Sequence, residues 1–356
     1  MVPVSSLPVT LPLKAEHPYW QVMKLATLKN GKPDGQLVIV SRDLKRTVSA
    51  GRIASTLQSA LDNWIAVEPF LKALSDQLNA GDITGQPFDP SLALAPLPRA
   101  YQWIDGSGYL NHLERVRTLS GSKDAELQSN RPLLYQGGSD CLAAPTAPIR
   151  VTADNLALDF EAEVAVITGP VPMGADKPTA SKAIRLITFC NDVSLRRLVA
   201  DDLQNGFGFF HAKPATSFAP IVATLDELGP DWRADRLHMR LEVTVNDILF
   251  GRPNAGADMH FDFADLIVEA TRTRELGCGT IIGGGTVSNR HDEVLPIKRD
   301  GIGFACIAEA RTVEKIKFGR ARTPFLAHGD TVRIAARTEA GEAIFGHIEQ
   351  SVVIGH

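Results

Sequence analysis

The run from Asp159 to Gly169, DFEAEVAVITG, sets two carboxylates, Glu161 and Glu163, into a stretch that otherwise has the apolar, β-branched make-up of a buried strand. Side chains alternate along a strand with period two, so Asp159, Glu161 and Glu163 are expected on one face. Like charges that close raise one another's pKa unless a cation or a proton lies among them. A hard divalent cation, held by a few carboxylates while it keeps waters or substrate oxygens, is the usual remedy. The competing reading is a solvated edge strand with polar residues facing water.

Other segments offer partners for such a site. In AYQWIDGSGYLNHLERVR, Asp105 precedes two glycines in a turn, and His112 stands seven residues later at the start of a short helix. Taken alone, these are a turn residue and a capping or surface histidine. In ITFCNDVSLRRL, Asp192 follows an apolar strand-like run and precedes Arg196, and a carboxylate at a strand end is well placed to reach a site. In GFGFFHAKPATSFAP, Lys213 occupies a turn rich in Gly, Phe and Pro, whose apolar walls would focus its charge. Phe207, Phe209, Phe210 and Phe218 are expected to pack rather than to stack on a substrate.

The whole chain bounds what such residues could serve. Its 356 residues suffice for a large core and suggest one small and one large domain. A 44% hydrophobic and 22% charged make-up is ordinary for a globular protein, and a net charge of −4 gives no basic footprint for nucleic acid. Cys141, Cys190, Cys278 and Cys306 are widely spaced without C-x-x-C, so neither zinc nor a disulfide framework is indicated and the cytoplasm is expected. No apolar run approaches the roughly 20 residues of a membrane helix.

Residues 1–22 contain four prolines and lack both a cationic start and an apolar core, so they are expected to form a disordered arm rather than a signal peptide. Regular patterning begins at Met23, a candidate alternative start. Two short strands around the turn Lys32–Gly35 form a hairpin. Leu57, Leu61, Trp64, Ile65, Leu71, Leu74 and Leu78 then recur at helical spacing, interrupted at Pro69 and closed by Gly81. The proline-rich Pro87–Ala100 marks a boundary, giving a domain over 23–96 and a second over 97–356.

Six motifs in order resemble the fumarylacetoacetate hydrolase family: Asp105 with His112, the E-x-E of Glu161 and Glu163, NDVSLR with Asp192 and Arg196, Lys213 in K-x-x-x-S-F-x-P, GTIIGGGTVSN at Gly279–Asn289, and FLAHGDTVRI at Phe325–Ile334. They span roughly Leu97 to the C-terminus. The resemblance implies an α+β, mainly β fold, a mixed β-sheet roll or barrel with a small SH3-like N-terminal domain, and a homodimer. It implies a divalent cation, Mg²⁺, Ca²⁺ or Mn²⁺, held by Asp105, Glu161, Glu163 and Asp192. It implies that His112 activates water with the help of a glutamate, placed at Glu309 in GFACIAEART beyond an inserted loop, Arg290–Gly301. Lys213 would be catalytic, and Arg196, Ser217, Thr286 and Tyr109 would contact the substrate.

The implied activity is hydrolysis of a carbon–carbon bond in a 1,3-dioxo acid from aromatic catabolism. Such cleavage needs a nucleophile at one carbonyl and a stabilised enolate leaving group, and a cation bound to both carbonyl oxygens is an electron sink for it. A His oriented by Glu can take a proton from water near neutral pH, while Arg196 and Lys213 would sit where negative charge accumulates. The chain departs from the family at Ser107, where a tyrosine follows the metal-binding aspartate by two, and at Val199 and Leu203, where a glutamine and a further pocket tyrosine are expected. Fumarylacetoacetate, an acylpyruvate or another dioxo acid would each fit. Decarboxylation, hydration and tautomerisation of 2-oxo acids compete within the same fold.

Other classes find less support. Gly283, Gly284 and Gly285 lie in no G-x-x-x-x-G-K-[ST] or well-placed G-x-G-x-x-G context. The remaining histidines show no H-E-x-x-H spacing. A Mg²⁺ nuclease would need a basic stripe that the chain lacks.

Overall fold

The structure, a computed structural model, describes residues 22–120, 130–290 and 301–355. The expected arm, apart from Val22, and the expected insertion Arg290–Gly301, apart from its two end residues, lie outside the described residues. Strands β1 (Lys24–Leu28) and β2 (Gln36–Val40) form the hairpin around Lys32–Gly35, followed by β3 (Arg46–Ser49). Helices α1 (Leu57–Asp62) and α2 (Trp64–Ala80) come next. Thr56 and Ser59 close a capping box at the start of α1, and Gly81 ends α2 in the left-handed region at φ 82°.

Two expectations fail in these helices. The break between them is at Asn63, and Pro69 lies inside α2. Pro69 deprives only the carbonyl of Ile65 of its helical donor, and Ile65 is 86% exposed instead of belonging to the buried stripe.

The chain continues through β4 (Gln86–Pro87), β5 (Trp103–Gly106), α3 (Leu110–Ser120), β6 (Leu134–Gly137), β7 (Ile149–Val151) and β8 (Leu158–Asp159). Then come β9 (Ala162–Thr168), α4 (Lys177–Ala183), β10 (Ile184–Asn191), β11 (Ser194–Leu195), α5 (Arg196–Asn205), β12 (Ser217–Phe218) and β13 (Ile221–Thr224). The rest comprises β14 (Trp232–Arg233), β15 (Arg236–Leu237), β16 (Arg240–Val245), β17 (Ile248–Gly251), α6 (Phe263–Ala270), β18 (Ile281–Thr286), α7 (Ile307–Phe318), β19 (Thr331–Arg337) and β20 (Ile348–Ile354). Among the described residues no helix is long and apolar enough to cross a membrane.

The fold is α+β and mainly β. Its large mixed sheet runs β4-β3-β2-β1-β13-β10-β9-β18-β5-β6, with β12 also on β10, and β5 and β18 parallel. The N-terminal strands therefore extend the main sheet through β1 and β13. A second sheet, β17-β16-β19-β20-β7, covers part of one face.

Strand β9 is buried on both sides, which is why its sequence is a continuous apolar run. Val164 and Val166 pack in one core with Val243, Ile334 and Phe345. Ala165 and Ile167 join the other, with Leu25, Leu61, Trp64 and Trp103. By the same alternation Glu163 on β9, Asp105 on β5 and Asp192 just past β10 share the face of Ala165, Trp103 and Cys190. One sheet face thus carries an apolar core along most of its length and carboxylates at one end.

Candidate active site

Ligand atoms of Asp105, Glu163 and Asp192 lie within 4.8 Å of one another, and all three side chains are buried. The triple glycine makes room for them. A Cβ at Gly283, opposite Asp105 in the parallel pair, would stand 2.4 Å from its Oδ1, and Gly285, at φ 80°, donates its N–H to the same oxygen at 3.1 Å. Around Asp192, the Thr216 hydroxyl donates to Oδ1 at 2.6 Å, Lys213 Nζ to Oδ2 at 2.6 Å, and the Tyr135 hydroxyl also to Oδ2. Thr286 donates to Glu163 Oε1 at 3.4 Å, while Glu163 Oε2 is buried with no hydrogen-bond partner among the described residues.

Burial, then the charge of Asp192, pushes Asp105 up to about 7. Burial and the carboxylates of Asp105, Asp192 and Glu161 push Glu163 well above the ordinary range. Three crowded, buried carboxylates with one orphaned oxygen form a hard-oxygen donor set that fits a divalent cation.

Asp159 and Glu161 do not join this cluster, contrary to the single-face expectation. The strand is not continuous: β8 ends at Asp159, β9 starts at Ala162, and Glu161 bridges to Cys306. Asp159 accepts from the N–H groups of Ile307 and Ala308, at 2.7 and 2.9 Å, in the first turn of α7 and pairs with Arg196 Nε at 2.8 Å. Glu161 accepts from Arg196 Nη2 at 2.7 Å and from Lys213. Burial raises the Glu161 carboxyl, but Arg196, Lys213 and His112 together outweigh it and hold the group well below the usual carboxylate range. Of the four carboxylates expected as ligands, three converge, and Glu161 is turned towards Arg196 and Lys213.

On the other wall, α3 packs against α7. His112 Nδ1 lies 2.8 Å from Glu309 Oε1, and its Nε2 lies 3.6 Å from Glu161 Oε1. Arg115 donates to Glu309 Oε2 at 2.9 Å, to Ser288 Oγ at 3.1 Å and to the Asn289 carbonyl at 3.1 Å. Burial raises Glu309, but the hydrogen bond from His112 and the charges of His112 and Arg115 win and keep it ionised below its ordinary value. His112 of the dyad and Asp105 and Glu163 of the cluster line one cavity of about 370 Å³.

Comparison with known proteins decides the lineage. The fumarylacetoacetase N-terminal domain 2 model matches residues 23–99, and the fumarylacetoacetate (FAA) hydrolase C-terminal model matches residues 102–353. The chain belongs to the fumarylacetoacetate hydrolase family. An uncharacterised protein of Pyrococcus horikoshii is 29% identical over 212 residues, 56% of this chain and 86% of its own length. A probable 2-hydroxyhepta-2,4-diene-1,7-dioate isomerase of Mycobacterium abscessus shares the fold with TM-score 0.61 at 16% identity, over 94% of this chain and 99% of its own. So does maleylpyruvate hydrolase of Sphingobium sp. SYK-6, solved with manganese(II) and pyruvate, with TM-score 0.61 at 17% identity, over 94% of this chain and 100% of its own.

Some residues that the family motifs single out fall elsewhere. Ser217 is buried outside the cavity, where its hydroxyl donates to Gln350 at 2.7 Å; Thr216, its neighbour of opposite direction in extended chain, reaches Asp192 instead. Tyr109 lines the cavity but spends its hydroxyl on the Ala255 carbonyl at 2.5 Å. Arg196 and Thr286 line it, Arg196 through its ion pairs. The family motifs single out none of Tyr135, Thr216, Arg115 and Ser288 for a role, although Thr216 and Ser288 lie inside them. Arg115, three residues after His112 on the same helix face, had a usable signal.

Proposed function

We propose that this member of the fumarylacetoacetate hydrolase family hydrolyses a carbon–carbon bond in a 2,4-dioxo acid, giving a carboxylic acid and pyruvate or a substituted pyruvate. The observation that carries the reading is the His112–Glu309 pair at 2.8 Å beside the buried carboxylate cluster. A merely structural cation site would need the carboxylates and not the dyad.

Asp105, Glu163 and Asp192 would hold Mg²⁺, Mn²⁺ or Ca²⁺, which when bound neutralises charge developing on the two carbonyl oxygens of such an acid. His112 Nε2 accepts the proton of a water whose oxygen attacks the acyl carbon, while Nδ1–H stays donated to Glu309. As the bond to the central carbon breaks, its electron pair passes into the enolate of the leaving pyruvate unit, which takes up the proton from His112. Glu309, fixed by Arg115, sets the tautomer and stabilises the imidazolium. Lys213 and Arg196, with their pKa values raised by the carboxylates that outweigh burial, keep Glu161 ionised and place fixed positive charge beside the reacting oxygens. Acids of this kind arise when aromatic rings are opened, which places the enzyme in aromatic catabolism.

An assay with Mg²⁺ or Mn²⁺ on fumarylacetoacetate, an acylpyruvate and oxaloacetate in parallel tests the reading. Cleavage of a dioxo acid is expected, and His112→Ala should lower it about 10²- to 10⁴-fold. Decarboxylation of oxaloacetate alone, or a His112→Ala enzyme as fast as wild type on the dioxo acid, would overturn hydrolysis.

A further inference from the structure

The cavity is charged at its floor and apolar towards its mouth. His112 lies in the first turn of α3, and Arg196 is the first residue of α5. Further out on the same helix faces the lining side chains are apolar: Val116 four residues after His112, and Val199 and Leu203 three and seven residues after Arg196. At the rise of an α-helix, Leu203 stands about 10 Å along α5 from Arg196, and with 59% exposure it marks the opening. Leu133 and Phe209 complete this wall.

The basic side chains lining the cavity among the described residues are already committed at the floor. Arg196 pairs with Asp159 and Glu161, Lys213 with Glu161 and Asp192, and His112 with Glu309. A substrate carrying a second carboxylate at its far end would have to bring that charge against Val199 and Leu203, where it loses part of its hydration and finds no free cation among the described lining side chains. A hydrocarbon arm would gain by the same burial.

Resting on the dioxo acid reading, we infer that Val199 and Leu203 make this site select substrates whose acyl arm is uncharged and apolar, alkyl or aryl acylpyruvates, over those ending in a second carboxylate. Selectivity is then set by α5, away from the atoms that react.

A matched pair of acids that lack the scissile bond separates binding from turnover. Calorimetry on the manganese-loaded protein should show 2-oxohexanoate binding at least roughly tenfold more tightly than 2-oxoadipate. From acetylpyruvate to hexanoylpyruvate, kcat/KM should rise by up to about fourfold per methylene, with fumarylacetoacetate below both. Because Leu203 is at the surface, Leu203→Arg should fold and shift the diacid-to-monoacid ratio at least roughly tenfold towards the diacid. Equal or tighter binding of 2-oxoadipate by the wild type, or no binding of either acid, overturns the inference. Binding preference without turnover of any dioxo acid would instead overturn the hydrolase reading and leave the selectivity standing.

Discussion

Glu161 and Glu163 stand two residues apart, and their surroundings differ in kind. Glu161 belongs to a neutralised half of the site, where Arg196 and Lys213 supply donors to it and to Asp159. Glu163 belongs to a half made of carboxylates, with Asp105 and Asp192 as neighbours and one oxygen without a partner. Burial penalises both acids, and their charged neighbours set them apart: Arg196 and Lys213 hold one carboxyl far below its ordinary value, while carboxylates push the other far above it. A buried carboxylate left without a protein cation is where an external one belongs.

The difference should show first in stability. Arg196→Met leaves Asp159 buried without a cation and Glu161 with Lys213 alone, and denaturant titration should show a loss of about 3–5 kcal/mol; a wild-type midpoint would erase the contrast between the halves. The next effect is on pH. Asp105 sits at about 7 and Glu163 well above its ordinary value because burial and neighbouring carboxylates favour their protonated forms. A cation must displace those protons, so affinity should rise with pH between 6 and 8, by up to about tenfold per unit for each proton released. Calorimetry in buffers of different ionisation enthalpy would count the protons, and a pH-independent affinity would mean the cluster is already ionised.

Smaller effects sharpen the same contrast. In metal-free protein at neutral pH Glu163→Gln removes the cost of keeping a buried carboxyl protonated and should raise unfolding free energy by about 1 kcal/mol, opposite in sign to Arg196→Met. Thr216→Val removes one donor to Asp192 and should lower stability by about 1 kcal/mol or less.

The legibility of the site followed the range of its interactions. Asp105, Glu163, Asp192 and His112 were in view as residues of a strand, strand end, turn or helix start whose roles the family motifs supplied, and Glu309 was in view through that resemblance alone. That Asp159 would cap α7 was not, because its partners Ile307 and Ala308 lie 148 and 149 residues on and nothing near Asp159 announces them. Ser217 and Thr216 are neighbours whose side chains point in opposite directions in extended chain, so Thr216 reaches Asp192 and Ser217 reaches Gln350. Tyr135 is a single polar residue in ordinary surroundings, placed by sheet register that only the folded chain defines. The α+β, mainly β character was visible in the strand runs. The joining of the N-terminal strands to β13 was not, because it depends on a pairing between residues about 200 positions apart.

The central claim, that Asp105, Glu163 and Asp192 hold a divalent cation while Glu161 serves the protein's own cations, is most directly tested by titrating metal-free wild type and Glu163→Gln with Mn²⁺ in a calorimeter. The account predicts one ion per chain for the wild type and at least roughly 100-fold weaker binding for the variant, since a neutral amide replaces a charged oxygen ligand. Equal affinity in the two proteins would contradict it.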